Sequence, residues 1–149
     1  MSPKNAKDKL VFIEPNLTVT QIDYLATIGE VLQSDGTARS SDIARAMDVT
    51  RSTVSTTLKS LAATGFIHAE SYGPVTLTEK GAAISENVCA MRKALEALLT
   101  DVLGLDSEQA RAAARAYKGV VHPAVPEQLA VLRRFMQKNK KKWRKKMDD

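Results

Sequence analysis

The sequence predicts a mainly α chain in which an N-terminal winged helix-turn-helix is followed by a helical dimerisation domain. Three observations predict it. Apolar residues recur at helical spacing in three successive segments, and a short strand pair with a glycine turn follows them directly. The next segment is a long helix whose apolar positions step alternately by four and three. The implied boundaries are an irregular arm over 1–16, the winged region over 17–78, the helical domain over 79–137 and a basic tail over 138–149.

Each element follows from local chemistry. Residues 1–16 show no period and contain Pro3 and Pro15, as an irregular arm does. From Thr18 to Gln33, the residues Val19, Ile22, Leu25, Ile28, Val31 and Leu32 make one apolar face, and Ser34-Asp35-Gly36 stops the helix. Ser40 or Ser41 is placed to cap a second helix, Asp42–Met47, whose inner face is Ile43, Ala44 and Met47. Thr50 caps a third, from Arg51 to about Ala63, in which Val54, Leu58 and Leu61 face inward, and Gly65 ends it. Phe66–Glu70 and Pro74–Leu77 are strand-like runs joined by Ser71-Tyr72-Gly73. Thr78 then caps a helix from Glu79 to about Leu103 with a seam of Ile84, Val88, Met91, Leu95, Leu98 and Val102, and Gly104 ends it. An alanine-rich helix follows from Ser107 to about Tyr117. Pro123 and Pro126 break the chain before a last helix carrying Leu129, Leu132 and Phe135, which runs into the tail.

The formal net charge of +5 is a property of that tail: residues 138–149 carry seven basic and two acidic side chains, and the rest of the chain sums to zero. The run Lys138 to Lys146, with Trp143 inside it, suits phosphate neutralisation and reads equally as a solvated helix end. No apolar stretch is long enough to span a bilayer and no signal-peptide core follows residues 1–8, so the expectation is a soluble, cytoplasmic protein without membrane contact. A single cysteine, Cys89, excludes an intramolecular disulfide framework and a multi-cysteine zinc site, and beside the seam it reads as a packing residue. His68 and His122 have no metal-ligand company at a recognisable spacing. The absence of a P-loop, a dinucleotide fingerprint and a hydroxyl-imidazole-carboxylate set argues against an enzyme.

A helix that enters the DNA major groove needs an inner face to fix its angle and an outer face of small polar and basic side chains. The third helix offers both. Arg51 suits guanine or phosphate, Ser52, Thr53, Ser55 and Thr56 suit base edges or thymine methyls, and Lys59 suits phosphate. Ser41 and Tyr72 complete the candidate contact set for double-stranded DNA. A homodimer joined through Val88, Met91, Leu95, Leu98 and Val102 would present two such helices to two half-sites. The competing readings are a winged domain used for protein contacts and a seam that is simply an intrachain core.

With these elements in place, the chain resembles the diphtheria-toxin-repressor and manganese-transport-regulator family of metal-dependent repressors, also called the iron-dependent repressors, over about residues 17–135. The resemblance is carried by Leu17-Thr18 with Asp23-Tyr24-Leu25, by Ser41-Asp42-Ile43-Ala44, by Val49 to Ser55 and by Leu61 to Ile67. It continues through Tyr72-Gly73-Pro74-Val75-Thr76-Leu77-Thr78-Glu79-Lys80-Gly81 and Leu98 to Leu105. It implies a dimeric repressor with an N-terminal DNA-binding domain and a helical domain that dimerises and binds metal.

At the ligand positions which that resemblance implies, the chain departs from the family. Asp23 and Glu96 keep carboxylates, but Ala26 replaces a carboxylate, Arg92 a histidine, Arg111 and Arg115 two further ligands, and Lys118-Gly119 a Glu-His pair. Guanidinium and ammonium groups have no lone pair for a divalent ion. The expectation is therefore a degenerate metal site, no cofactor, and Arg92, Arg111, Arg115 and Lys118 as charge substitutes for the metal beside the vestigial Asp23 and Glu96. The alternatives are solvated basic residues without a role, or a site rebuilt for manganese or iron, for which Asp23, Glu96, Cys89 and His122 are the available donors. The leading functional expectation is a dimeric sequence-specific repressor that binds DNA without the inherited metal site. The others are a metal-responsive repressor and a nucleoid-type or adaptor protein that uses the basic tail.

Overall fold

The computed structural model describes residues 16–147, so the expected arm lies almost wholly outside the described residues. The helices are α1 (Val19–Asp35), α2 (Ser40–Met47), α3 (Arg51–Ala63), α4 (Glu79–Asp101), α5 (Ser107–Arg115), α6 (Ala124–Lys138) and α7 (Lys140–Met147); β1 (Ile67–Ala69) and β2 (Val75–Leu77) lie between α3 and α4. The chain divides into two compact units, the first running to Cys89 and including Lys118–Val120, the second made of Ala90–Tyr117 and the residues from Val121 on. The division falls inside α4 rather than near residue 78. The physical reason is that the first turns of α4 are part of the winged domain's core, to which Ile84 belongs.

In the first unit, α1 opens with a capping box: Thr18 accepts from the Gln21 N–H while the Gln21 side chain accepts from the Thr18 N–H. Gly36, at φ +75°, closes it in the left-handed region that glycine adopts without a Cβ penalty. Tyr24, Leu25, Ile28, Ile43, Val54, Leu61, Phe66, Ile67, Val75 and Ile84 make one buried cluster that holds α1, α2, α3 and the strands together. The start of α2 differs from expectation. Ser40 and Ser41 lie inside the helix, and Arg39 is the cap residue, its N–H donating to the Asp42 carboxylate at 3.0 Å. β1 and β2 pair antiparallel with His68 opposite Thr76, and the Val75 N–H donates to the Ala38 carbonyl at 2.7 Å, which ties the strand pair to the segment before α2.

Gly81 shows why α4 starts where it does. The Thr78 hydroxyl accepts from the Gly81 N–H at 3.1 Å and donates to the Gly65 carbonyl at 2.8 Å. A Cβ on Gly81 would run into the Phe66 carbonyl, so the helix can approach the strand this closely only without a side chain there.

In the second unit, the later half of α4 buries Met91 and Arg92, and Val102 is buried in the turn that follows it. Asp106 caps α5, which buries Ala110 and Ala114. Pro126 does not precede α6 but sits in its first turn, where the missing N–H costs no hydrogen bond. The Nδ1 of His122 accepts from the Ala124 N–H at 3.1 Å, which gives this histidine a capping role. The basic tail is helical as α7 rather than frayed.

Candidate nucleic-acid interface and ligand positions

Thr50 caps α3, accepting from the Thr53 N–H at 3.2 Å, and the Asp48 backbone at φ +53° makes the tight turn from α2. Val54, Leu58 and Leu61 are buried and set the helix's rotation about its axis. Ser52, Thr53, Ser55, Thr56 and Lys59 are thereby exposed away from that face, and Arg51 is exposed at the first position of the helix. Their hydroxyls differ in commitment. Thr56 donates to the Ser52 carbonyl at 3.2 Å and the Thr53 hydroxyl is shared with Thr50 at 2.9 Å, whereas no intrachain bond holds the Ser52 and Ser55 hydroxyls among the described residues. Thr56 is left to offer its methyl, and the two serines their donors and acceptors.

The strand pair ends in a wing whose tip is Tyr72, wholly exposed at φ +63°, a conformation costly for a bulky residue. The Gly73 N–H closes the turn on the Glu70 carbonyl at 3.1 Å. Ser41 is half-buried in the first turn of α2. Two exposed cations near it were not singled out from the sequence: Arg39 before α2, and Arg45, whose long 3.9 Å pair with Asp42 leaves it largely in solvent. Their signal was present, since the first helix of such a pair lies against the DNA backbone.

The ligand positions hold ion pairs. In the first unit, Lys118 Nζ lies 3.1 Å from Asp23 Oδ2, with the lysine side chain 43% and the carboxylate 16% exposed, and Val120 packs on the same unit's core. Beside it, Cys89 Sγ donates to the Ala26 carbonyl at 3.8 Å, the geometry of a packing thiol. In the second unit, Arg111 pairs with Glu96 at 3.6 Å, and the buried Arg92 donates from Nε to the Tyr117 carbonyl at 2.9 Å. Burial also raises the Tyr117 phenol above its usual value. Arg115 is exposed and engaged within the chain. Among the described residues no three His, Cys, Asp or Glu side chains form a group able to hold a metal.

The expected seam is partly consumed inside the chain. Val88, Met91 and Val102 are buried, and Leu95 and Leu98 are half-buried. Three of the exposed large apolar side chains share α6, where Val131, Leu132 and Phe135 are 48%, 46% and 60% exposed and no residue is buried; the others, Val19, Val49, Tyr72 and Leu103, are scattered.

Residues 16–75 match the family described as iron dependent repressor, N-terminal DNA binding domain. The chain is 32% identical over 117 residues to the transcriptional regulator MntR of Escherichia coli, an alignment covering 78% of this chain and 73% of that one. It belongs to the iron-dependent repressor family. The MntR regulator of Oceanobacillus iheyensis is 33% identical over 91 residues, 61% of each chain. Among solved structures, the IdeR of T. acidophilum matches with a TM-score of 0.58 at 26% identity, over 66% of this chain and 46% of that one. A manganese-dependent transcriptional repressor in complex with manganese shares the fold at a TM-score of 0.67 and 23% identity, over 77% and 53%. The chain thus spans about half the length of these two solved neighbours. As an iron-dependent repressor family member it is a DNA-binding transcriptional regulator and not an enzyme, and no helix among the described residues is long and apolar enough to cross a membrane. The expectation of no cofactor is corrected by these matches. The family is described as iron dependent, and a solved neighbour holds manganese.

Proposed function

We propose that the protein is a homodimeric, sequence-specific DNA-binding repressor in which α3 reads the major groove and the wing tip touches the neighbouring backbone. The exposed surface of α3 carries the reading: six exposed polar or basic side chains accompany three buried apolar ones, on a helix capped at its start. A second copy covers the apolar face of α6, which finds no burial in the single chain. Fluorescence anisotropy on a duplex selected from a random pool tests the assignment. Arg51→Ala should lower affinity for the selected duplex more than for random DNA, and equal losses on both would overturn it.

The ligand positions support DNA binding without the inherited ligand set. The remaining carboxylates, Asp23 and Glu96, are each paired with a lysine or arginine that itself occupies a ligand position, and such a donor set does not fit a transition metal. In this reading Lys118 ties the segment after α5 to α1, and Arg111 ties α5 to α4. The metal dependence of the relatives favours a second reading, a metal-responsive repressor with a rebuilt site. Manganese or ferrous iron titrated into metal-free protein at fixed salt separates the two: a change in affinity for the selected duplex supports the second.

A further inference from the structure

We infer that α7 is a second DNA-binding surface, one that grips duplex phosphates outside the sequence read by α3. The inference rests on the DNA-binding reading above and extends it to a part of the chain beyond the matched DNA-binding domain. In α7, Lys140, Lys141, Lys142, Arg144, Lys145 and Lys146 are all exposed, and none pairs with a carboxylate among the described residues. Lys140 and Arg144, Lys141 and Lys145, and Lys142 and Lys146 are like charges one turn apart, a spacing at which they repel and weaken an isolated helix. A polyanion along the helix removes that cost.

The helix is also held in place. The Trp143 indole N–H donates to the Met136 carbonyl at 3.0 Å, the Asn139 side chain donates to the Phe135 carbonyl at 2.9 Å, and the Lys142 N–H returns to the Asn139 carbonyl at 2.9 Å. A solvated tail needs none of these bonds. An eight-residue helix is about 12 Å long, and duplex DNA carries about seven phosphates over that distance, close to the charge presented. A membrane surface fits less well. Trp143 and Met147 are the only apolar residues in α7, and the indole is already turned onto α6, so no apolar face remains to enter lipid.

The test uses the full chain and two variants. One replaces all six basic residues of α7 with glutamine, and the other is the double change Lys141→Gln and Lys145→Gln; glutamine keeps the helix propensity. Affinity is measured on the selected duplex and on random duplex across a salt series, and circular dichroism checks folding. The six-site variant should lose about tenfold or more on both duplexes and flatten the salt dependence by about 0.9 for each phosphate it no longer neutralises, with the double variant intermediate. The ratio of selected to random affinity should stay unchanged. An unchanged salt slope in both variants, or wild-type binding to phosphatidylserine vesicles in preference to duplex, would overturn the inference. A wild-type chain that shows no preference for any selected duplex overturns the α3 reading instead, while a flattened slope still supports α7.

Discussion

Arg51 and Lys59 are both exposed on α3, two turns apart, and the proposed DNA reading gives them different work. Arg51 opens the helix, the end that approaches base edges, and its bidentate fork is worth about 1–3 kcal/mol of discrimination at a guanine. If Lys59, two turns on, meets phosphate as proposed, Lys59→Ala should weaken binding to selected and random duplex by the same factor and reduce the salt slope by about 1. Thr27 makes the opposite case, a polar group in the wrong place. It is buried in α1 and its hydroxyl has no hydrogen-bond partner among the described residues. Thr27→Val should raise stability by about 1 kcal/mol, read as a later denaturant midpoint, because the apolar replacement removes an unsatisfied hydroxyl at nearly constant volume. The Asp23–Lys118 pair is half in solvent, and a double-mutant cycle with Asp23→Asn and Lys118→Met should return a coupling of at most about 1 kcal/mol. That is too little for this pair to act alone as a metal bridge does.

At the scale of the element, the start of α4 is decided by a close approach rather than by propensity. Alanine favours a helix over glycine by about 1 kcal/mol. At Gly81 the added methyl would collide with the Phe66 carbonyl, part of the backbone that leads into β1, and overpacking of that kind costs about 1–3 kcal/mol. Gly81→Ala should therefore destabilise the winged unit despite its better propensity, which thermal unfolding can read. The sequence shows the same division between what is local and what is not. α3 and the wing were legible because Thr50, the Val54-Leu58-Leu61 face and the Tyr72-Gly73 turn each act within a few residues. The ion pairs at the ligand positions were legible as charges out of place, although the pairing of Arg111 with Glu96 depends on how α5 returns to α4. The seam was legible only as a repeat, because a four-three pattern looks the same whether it meets another chain or its own. Val88 is buried in the first unit and Met91 and Val102 in the second. Order in the tail was not legible at all, since it depends on Asn139 and Trp143 reaching carbonyls of the preceding helix, not on any repeat.

For the whole molecule, the proposed sequence-specific DNA binding has to be reached by a chain that is nearly neutral outside its tail. One winged unit presents few basic side chains: Arg39, Arg45, Arg51 and Lys59 on its helix-turn-helix. Two linked copies convert the second binding event into an intramolecular one, which raises overall affinity by about 10²–10⁴ with no added interface. In the proposed dimer the largest cluster of exposed apolar residues open to such a link is on α6, since the chain has already buried much of the α4 seam. Phe135 is the largest of them and 60% exposed. A charge there has to be buried if the copies still join, but remains in water if they do not. Phe135→Glu should therefore give a folded monomer by sedimentation velocity, with affinity for a two-half-site duplex lowered about 100-fold and affinity for a single half-site unchanged. Retention of the dimer would move the interface to the half-buried Leu95 and Leu98 of α4. Loss of the dimer with two-half-site affinity intact would mean that α7, acting within each copy, supplies the missing grip.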